Sequence, residues 1–275
     1  MTTLIAGCGY VGSALAARLV ARGERVIALT RSARALPEGV EGLQATLPDS
    51  ALSLPREIER VVYAVAPDER SDAAYERAYP AGVRSVLDAL ARTGAALERF
   101  VLVSSTAVYA EDAGGLVDPA GPYATGTPER VLEAERALPI ETGIVARLSG
   151  IYGPGRDRIV RAVREGRTVG EPGRVGNRIH RDDAAAAIEH LLFLPRPFSR
   201  VYDVTDTASV PMGEIFAWIA REIGVGLDPA LTSVPPTRTG KRIEPSYLAR
   251  SGFSFRYPSY REGYGEMIRG STSSP

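Results

Sequence analysis

The first chemistry legible in this chain is carried by three glycines in the stretch Leu4-Ile5-Ala6-Gly7-Cys8-Gly9-Tyr10-Val11-Gly12-Ser13. Their spacing is G-x-G-x-x-G, and they follow an apolar run directly. A pyrophosphate must come within hydrogen-bond reach of the backbone, so side chains have to be absent where it approaches. On this reading Gly7 permits a tight turn, Gly9 leaves the approach clear, and Gly12 lets the next helix pack close to the sheet. The N–H groups and the dipole at the helix start, near Tyr10 and Val11, then favour the phosphate charge. The same spacing also occurs in purely structural turns. Here it starts directly after a strand, and Val11, Leu15, Leu19 and Val20 follow at helical spacing, with Gly23 as C-cap.

The type of dinucleotide is read at the end of the next strand, Arg25-Val26-Ile27-Ala28-Leu29-Thr30. Sites that prefer NAD place an acid there to accept ribose hydroxyls. This chain has Thr30, Arg31 and Ser32 instead, with Arg34 nearby. An arginine pairs with a 2′-phosphate that a carboxylate would repel. The expected cofactor is NADP(H) in preference to NAD(H), and NAD remains open. Ala64, Val65 and Ala66, at the end of the fourth strand, complete the expected cofactor-binding set.

The elements that must hold these residues alternate. After the two strands above come a third at Gly42 to Thr46, a fourth at Arg60 to Val65, and a long amphipathic helix from Tyr75 to Arg92. A fifth strand follows at Phe100 to Ser104, then a helix from Pro128 to Leu138 and a sixth strand at Ile144 to Leu148. Asp182 or Asp183 is expected to cap an alanine-rich helix, which leads to a seventh strand at Val201 to Val204. The alternation predicts an α/β fold, a Rossmann-type doubly wound parallel sheet of about seven strands. Residues 1–152, with 181–206 returning, are expected to form the dinucleotide-binding domain. Residues 153–180 and 207–275, rich in Gly, Arg, Pro and Tyr and holding one helix near Met212 to Ile223, are expected to form a smaller substrate lobe over the carboxyl ends of the strands. The tail from Gly270 to Pro275 is expected to be disordered.

The composition is that of an ordinary globular protein of 275 residues, with 33 basic and 33 acidic side chains. Zero net charge speaks against nucleic acid or an anionic membrane surface as a partner. No apolar run is long enough for a bilayer span, no signal segment precedes the first strand, and the lone Cys8 allows no intrachain disulfide. These features fit a cytoplasmic protein. No Cys/His cluster has metal-ligand spacing, so no metal is expected. Lys241 is the only lysine.

Several motifs in order resemble one superfamily. The glycine turn is followed by Val103-Ser104-Ser105-Thr106-Ala107-Val108-Tyr109, Arg147-Leu148-Ser149-Gly150-Ile151-Tyr152-Gly153-Pro154-Gly155, Ile179-His180-Arg181-Asp182-Asp183 and Val201-Tyr202-Asp203-Val204-Thr205-Asp206. The set resembles the extended short-chain dehydrogenase/reductases of the NAD-dependent epimerase/dehydratase type, over nearly the whole chain. Arg256-Tyr257-Pro258-Ser259-Tyr260-Arg261-Glu262-Gly263 is similar to the atypical YeeZ-like branch. The resemblance implies a homodimer, paired through the helix after the fourth strand and the helix from Pro128 to Leu138.

It also implies a Ser/Thr–Tyr–Lys catalytic set, in which the Tyr exchanges a proton with substrate and the Lys, one helical turn on, lowers the phenol's pKa. Thr106 and Ser105 match the hydroxyl. The Y-x-x-x-K is missing. Counting back from Ala134-Glu135 puts Thr127 at the tyrosine position and Val131 at the lysine position. Tyr123 is the nearest phenol and Arg130 the nearest cation. The catalytic candidates are therefore Ser105, Thr106 and Tyr123, with Tyr109, Tyr152 and His180 as other possible acids or bases. Two functions stay open. One is an oxidoreductase or epimerase-like enzyme with a non-standard active site, acting on a nucleotide sugar or another small carbonyl or hydroxyl compound. The other is a catalytically silent NADP-binding redox sensor or partner-binding module. For a nucleotide sugar, Arg156, Arg158, Arg174, Arg178, Arg256 and Arg261 are the candidate diphosphate ligands.

Overall fold

The computed structural model describes residues 1–235 and 238–272. The chain runs β1 (Thr2–Ala6), α1 (Tyr10–Ala21), β2 (Arg25–Thr30), β3 (Val40–Gln44), β4 (Ile58–Tyr63), α2 (Asp72–Glu76), a π-helical turn Arg77–Ala81 and α3 (Gly82–Thr93). It continues through β5 (Arg99–Ser105), a 3-10 turn Thr106–Val108, β6 (Ala113–Leu116), α4 (Thr127–Ala137), β7 (Gly143–Leu148), β8 (Gly150–Tyr152) and α5 (Arg158–Arg164). Then come β9 (Arg174–Gly176), β10 (Arg178–His180), α6 (Arg181–Leu192), β11 (Val201–Val204), β12 (Val210–Pro211) and α7 (Met212–Ile223). The last elements are α8 (Pro229–Thr232), β13 (Thr239–Arg242), α9 (Ser246–Arg250) and α10 (Tyr260–Thr272).

Seven strands form a parallel sheet in the order β11-β7-β5-β4-β1-β2-β3. The doubly wound α/β expectation holds. Runs such as Val26-Ile27-Ala28-Leu29 and Val61-Val62-Tyr63 are buried along their whole length, as strands covered by helices on both faces must be. The chain winds from β1 to β3 one way and from β4 to β11 the other. The order therefore reverses between β1 and β4, which is where open sheets of this kind bind ligands.

The chain divides into two compact units. The first comprises residues 1–108, 123–147 and 185–202, the second 109–122, 148–184 and 203–275. The second has a four-stranded sheet, β12-β9-β13-β6, and the pair β10-β8. Its core gathers Val160, Val163, Ile215, Phe216, Ile219, Tyr260 and Tyr264. Among the described residues no helix is long and apolar enough to cross a membrane.

Several local expectations are corrected. The third strand lies two residues earlier, at Val40–Gln44, and the fourth ends at Tyr63 rather than Val65. The helix expected from Tyr75 to Arg92 is broken by the π turn around Pro80, which has no N–H to give. The Tyr63 hydroxyl donates to the Ala78 carbonyl at 2.6 Å there. Asp182 and Asp183 lie inside the first turn of α6 and neither caps it. His180 Nδ1 accepts the Asp182 N–H at 3.3 Å instead, while the Asp183 carboxylate accepts the backbone N–H groups of Arg256 and Tyr257. In the tail, Gly270 to Thr272 continue α10, and residues 273–275 lie outside the described residues.

Candidate functional site

The registers of the parallel strands align three strand ends. Ala6 pairs with Leu29 on one side and with Tyr63 on the other. The next residues, Gly7, Thr30 and Ala64, therefore form a row along the carboxyl edge. Gly7 N–H donates to the Leu29 carbonyl at 3.0 Å, and Ala64 N–H to the Ala6 carbonyl at 2.7 Å. The structure thus brings the expected glycine, β2-end and β4-end residues together in the first unit.

The three glycines serve different needs. Gly7 has φ +94°, and a Cβ on it would lie 2.6 Å from the Ala64 carbonyl and 2.7 Å from Val65 N. A Cβ on Gly12 would lie 2.4 Å from the Gly7 carbonyl oxygen. Both positions are filled by the fold itself. Gly9, with φ −85°, is different, because a Cβ there would meet nothing within 4 Å. Packing does not explain its missing side chain. Gly9 is also the N-cap of α1, where no side chain caps the helix and no acid stands in the first turn. Neither the cap nor the first turn of the helix supplies a charge to offset its positive end. Cys8 is buried, and its carbonyl accepts from the Ser13 hydroxyl at 3.0 Å.

The other candidate hydroxyls are carried by neighbouring segments beside β5. Ser105 ends β5 and Thr106 opens the 3-10 turn. The Val108 carbonyl accepts the Ala124 N–H at 2.7 Å, which fixes the segment holding Tyr123 beside that turn. The Arg147 guanidinium lies over the Tyr123 ring, 5.1 Å from its centroid. Arg147 is itself gripped by Glu135 of α4 through bonds of 3.0 and 2.6 Å, and Glu135 accepts the Ser104 hydroxyl at 2.5 Å. A continuous set of contacts thus runs from β5 through α4 and β7 to the Tyr123 ring. Arg130, the nearest cation in sequence, is committed to Asp72, Glu76 and Glu133, and the hydrogen bonds to Asp72 and Glu133 raise its pKa further.

Residues 3–192 match the NAD dependent epimerase/dehydratase family. This chain belongs to that family. A Methylobacillus flagellatus protein assigned to the NAD-dependent epimerase/dehydratases is 35% identical over 99% of both chains, with a TM-score of 0.85. The human epimerase family protein SDR39U1 (isoform 2), solved with NADPH, is 20% identical over 98% of this chain and 99% of that one, with a TM-score of 0.75. The Thermus thermophilus UDP-glucose 4-epimerase, solved with NAD, is 20% identical over the whole of both chains, with a TM-score of 0.78. The last two share the fold. No curated protein matches the sequence.

In the second unit of this epimerase/dehydratase-family chain, the other candidate acids and bases are tied down or closed in. The Tyr109 hydroxyl is buried and reaches both Asp203 oxygens at 2.8 and 3.0 Å. The Tyr152 hydroxyl is buried, and burial pushes its pKa well above the usual phenol value. His180 packs against the rings of Tyr152 and Tyr257, and burial lowers its pKa. A neutral imidazole suits the role of accepting the Asp182 N–H. Asp206 is fully buried, and burial raises its pKa to about 7. Lys241 lies on β13 and donates to the Tyr109 carbonyl. Of the diphosphate candidates, Arg174 pairs with Asp112, Arg256 pairs with Glu266, and Arg178 is buried beside Met212. The pairing of Tyr109 with Asp203 could not be read from sequence, because no local signal specifies a partner 94 residues away.

Proposed function

We propose that this protein binds a nicotinamide dinucleotide at the carboxyl ends of β1, β2 and β4, with NADP(H) preferred over NAD(H). The observation that carries the reading is the open space at Gly9 between two glycines whose own positions are packed full. The backbone around Gly9 and the start of α1 would hold the pyrophosphate, Arg31 the 2′-phosphate, and Ala64 to Ala66 the adenosine side. The neighbours solved with NAD or NADPH support the same cofactor class. The bound nicotinamide supplies hydride transfer. The test is titration with NADPH and NADH, followed by nicotinamide fluorescence. Arg31→Asp is expected to weaken NADPH about tenfold or more relative to NADH, because it replaces an attractive charge with a repulsive one beside the phosphate. Equal losses for both would remove the preference for NADP.

The reaction class supported best is an oxidoreductase or epimerase type on a small carbonyl or hydroxyl substrate, a nucleotide sugar included. Thr106 or Ser105 orients the substrate oxygen and Tyr123 exchanges the proton. Tyr123 is favoured over Tyr109 and Tyr152 because it is partly exposed, whereas Tyr109 is spent on Asp203. With no lysine one turn away, turnover is expected to be slow. Tyr123→Phe should reduce the turnover of a reactive carbonyl by about 10²-fold or more while leaving cofactor affinity unchanged. Unchanged turnover would remove Tyr123 from the reading. Cofactor binding without turnover of any carbonyl would favour the silent redox sensor.

A homodimer through α3 and α4 belongs to the same reading. The exposed residues there include Arg84, Asp88 and Arg92 on α3 and Glu129 and Arg136 on α4. Light scattering at micromolar concentration should show a dimer whose fraction falls with salt, since exposed charge pairs are screened. A monomer at low salt would count against it.

A further inference from the structure

The end of β2 carries no acid, yet a carboxylate is present beside it. Asp68, in the loop after β4, accepts a hydrogen bond from Arg31 Nη1 through Oδ2 at 2.9 Å. Arg77, on the π turn, holds its Nη2 3.8 Å from the other carboxylate oxygen. All three residues belong to the first unit. The Arg31 and Asp68 side chains are 68% and 53% exposed, so little besides this pairing holds them. The bond from Arg31 also keeps the Asp68 carboxyl below the usual carboxylate range, so the group is ionised at neutral pH.

We propose that Asp68 is a cofactor-selecting residue, competing with a 2′-phosphate for Arg31 and offering an unphosphorylated ribose hydroxyl an acceptor. The inference rests on the cofactor reading above. A phosphate on the ribose competes for the Arg31 Nη1 that Asp68 now holds, and it brings negative charge next to the carboxylate. The Arg31–Asp68 bond must open for it. Arg77 is already close enough to keep the carboxylate when Arg31 leaves. A ribose with a free 2′-hydroxyl leaves the pair closed and donates to it, which is the task an acid at the strand end performs in sites that prefer NAD. The acid is thus supplied by a different loop, and it is bound to the arginine that would otherwise commit the site to NADP. The protein should therefore accept both dinucleotides, with only a modest preference.

Asp68→Asn keeps the shape and removes the charge. In fluorescence titrations at low salt it should strengthen NADPH binding by about three- to tenfold and leave NADH unchanged or weaker. At high salt the gain should shrink, because both partners are exposed. A preference ratio within twofold of the wild type, with both cofactors still binding, overturns the role of Asp68 and leaves the cofactor reading standing. Failure of the wild type to bind either cofactor overturns both.

Discussion

Replacing Gly9 with valine is expected to leave the protein folded and to cost it more than about a hundredfold in dinucleotide affinity, equivalent to some 2.7 kcal/mol or more. The valine Cβ enters space where it meets nothing within 4 Å, and φ at this position is negative. No steric conflict meets the added Cβ in the free protein. The penalty falls on the ligand, since the branched side chain stands where the phosphates must meet the start of α1. Gly7→Ala and Gly12→Ala should do the reverse first and lower stability, because each added methyl strikes a carbonyl. Thermal melts separate the two classes, and titration of the folded Gly9→Val protein gives the answer. Wild-type affinity in that variant would mean that the open space serves no phosphate.

The largest stability loss is expected at Glu135. Its carboxylate is 7% exposed and faces Arg147, which is 2% exposed. Glu135→Ala takes the carboxylate away from a buried guanidinium and deprives the Ser104 hydroxyl of its acceptor. Removing one member of a buried pair costs about 3–5 kcal/mol. Urea unfolding should show a midpoint shift of that size. A double variant, Glu135→Leu with Arg147→Met, should lose less than Glu135→Ala alone, because no charge is then left uncompensated. If the double variant is the worse of the two, the pair itself contributes the stability. Glu135→Ala should also slow any turnover that depends on Tyr123, since Arg147 would no longer be held over that ring.

The sheet could be read from sequence because buried parallel strands are apolar from end to end. Val201 to Val204 and Arg25 to Thr30 emerge with their expected bounds, and Gly7, Gly9 and Gly12 announce the turn between the first strand and its helix. Periodicity failed where a backbone group finds a distant partner. The amphipathic pattern from Tyr75 to Arg92 says nothing about Tyr63, whose hydroxyl satisfies a carbonyl at the π turn. Asp183 has the composition of a helix cap, yet it is drawn to backbone N–H groups more than seventy residues on, and His180 caps in its place. The proposed cofactor edge was legible as three separate strand ends, but Asp68 was invisible. Nothing local to Glu69 or Pro67 indicates that the intervening aspartate will meet Arg31.

Neither compact unit is a continuous stretch of chain. The polypeptide passes from one to the other after residues 108, 122, 147, 184 and 202, and three of these passages fall inside single elements, β7, α6 and β11. No terminal truncation isolates either unit intact, and neither can be transplanted as a cassette into another gene. Variation has to arise by substitution and by loop insertion within segments such as 109–122, while both halves are inherited together.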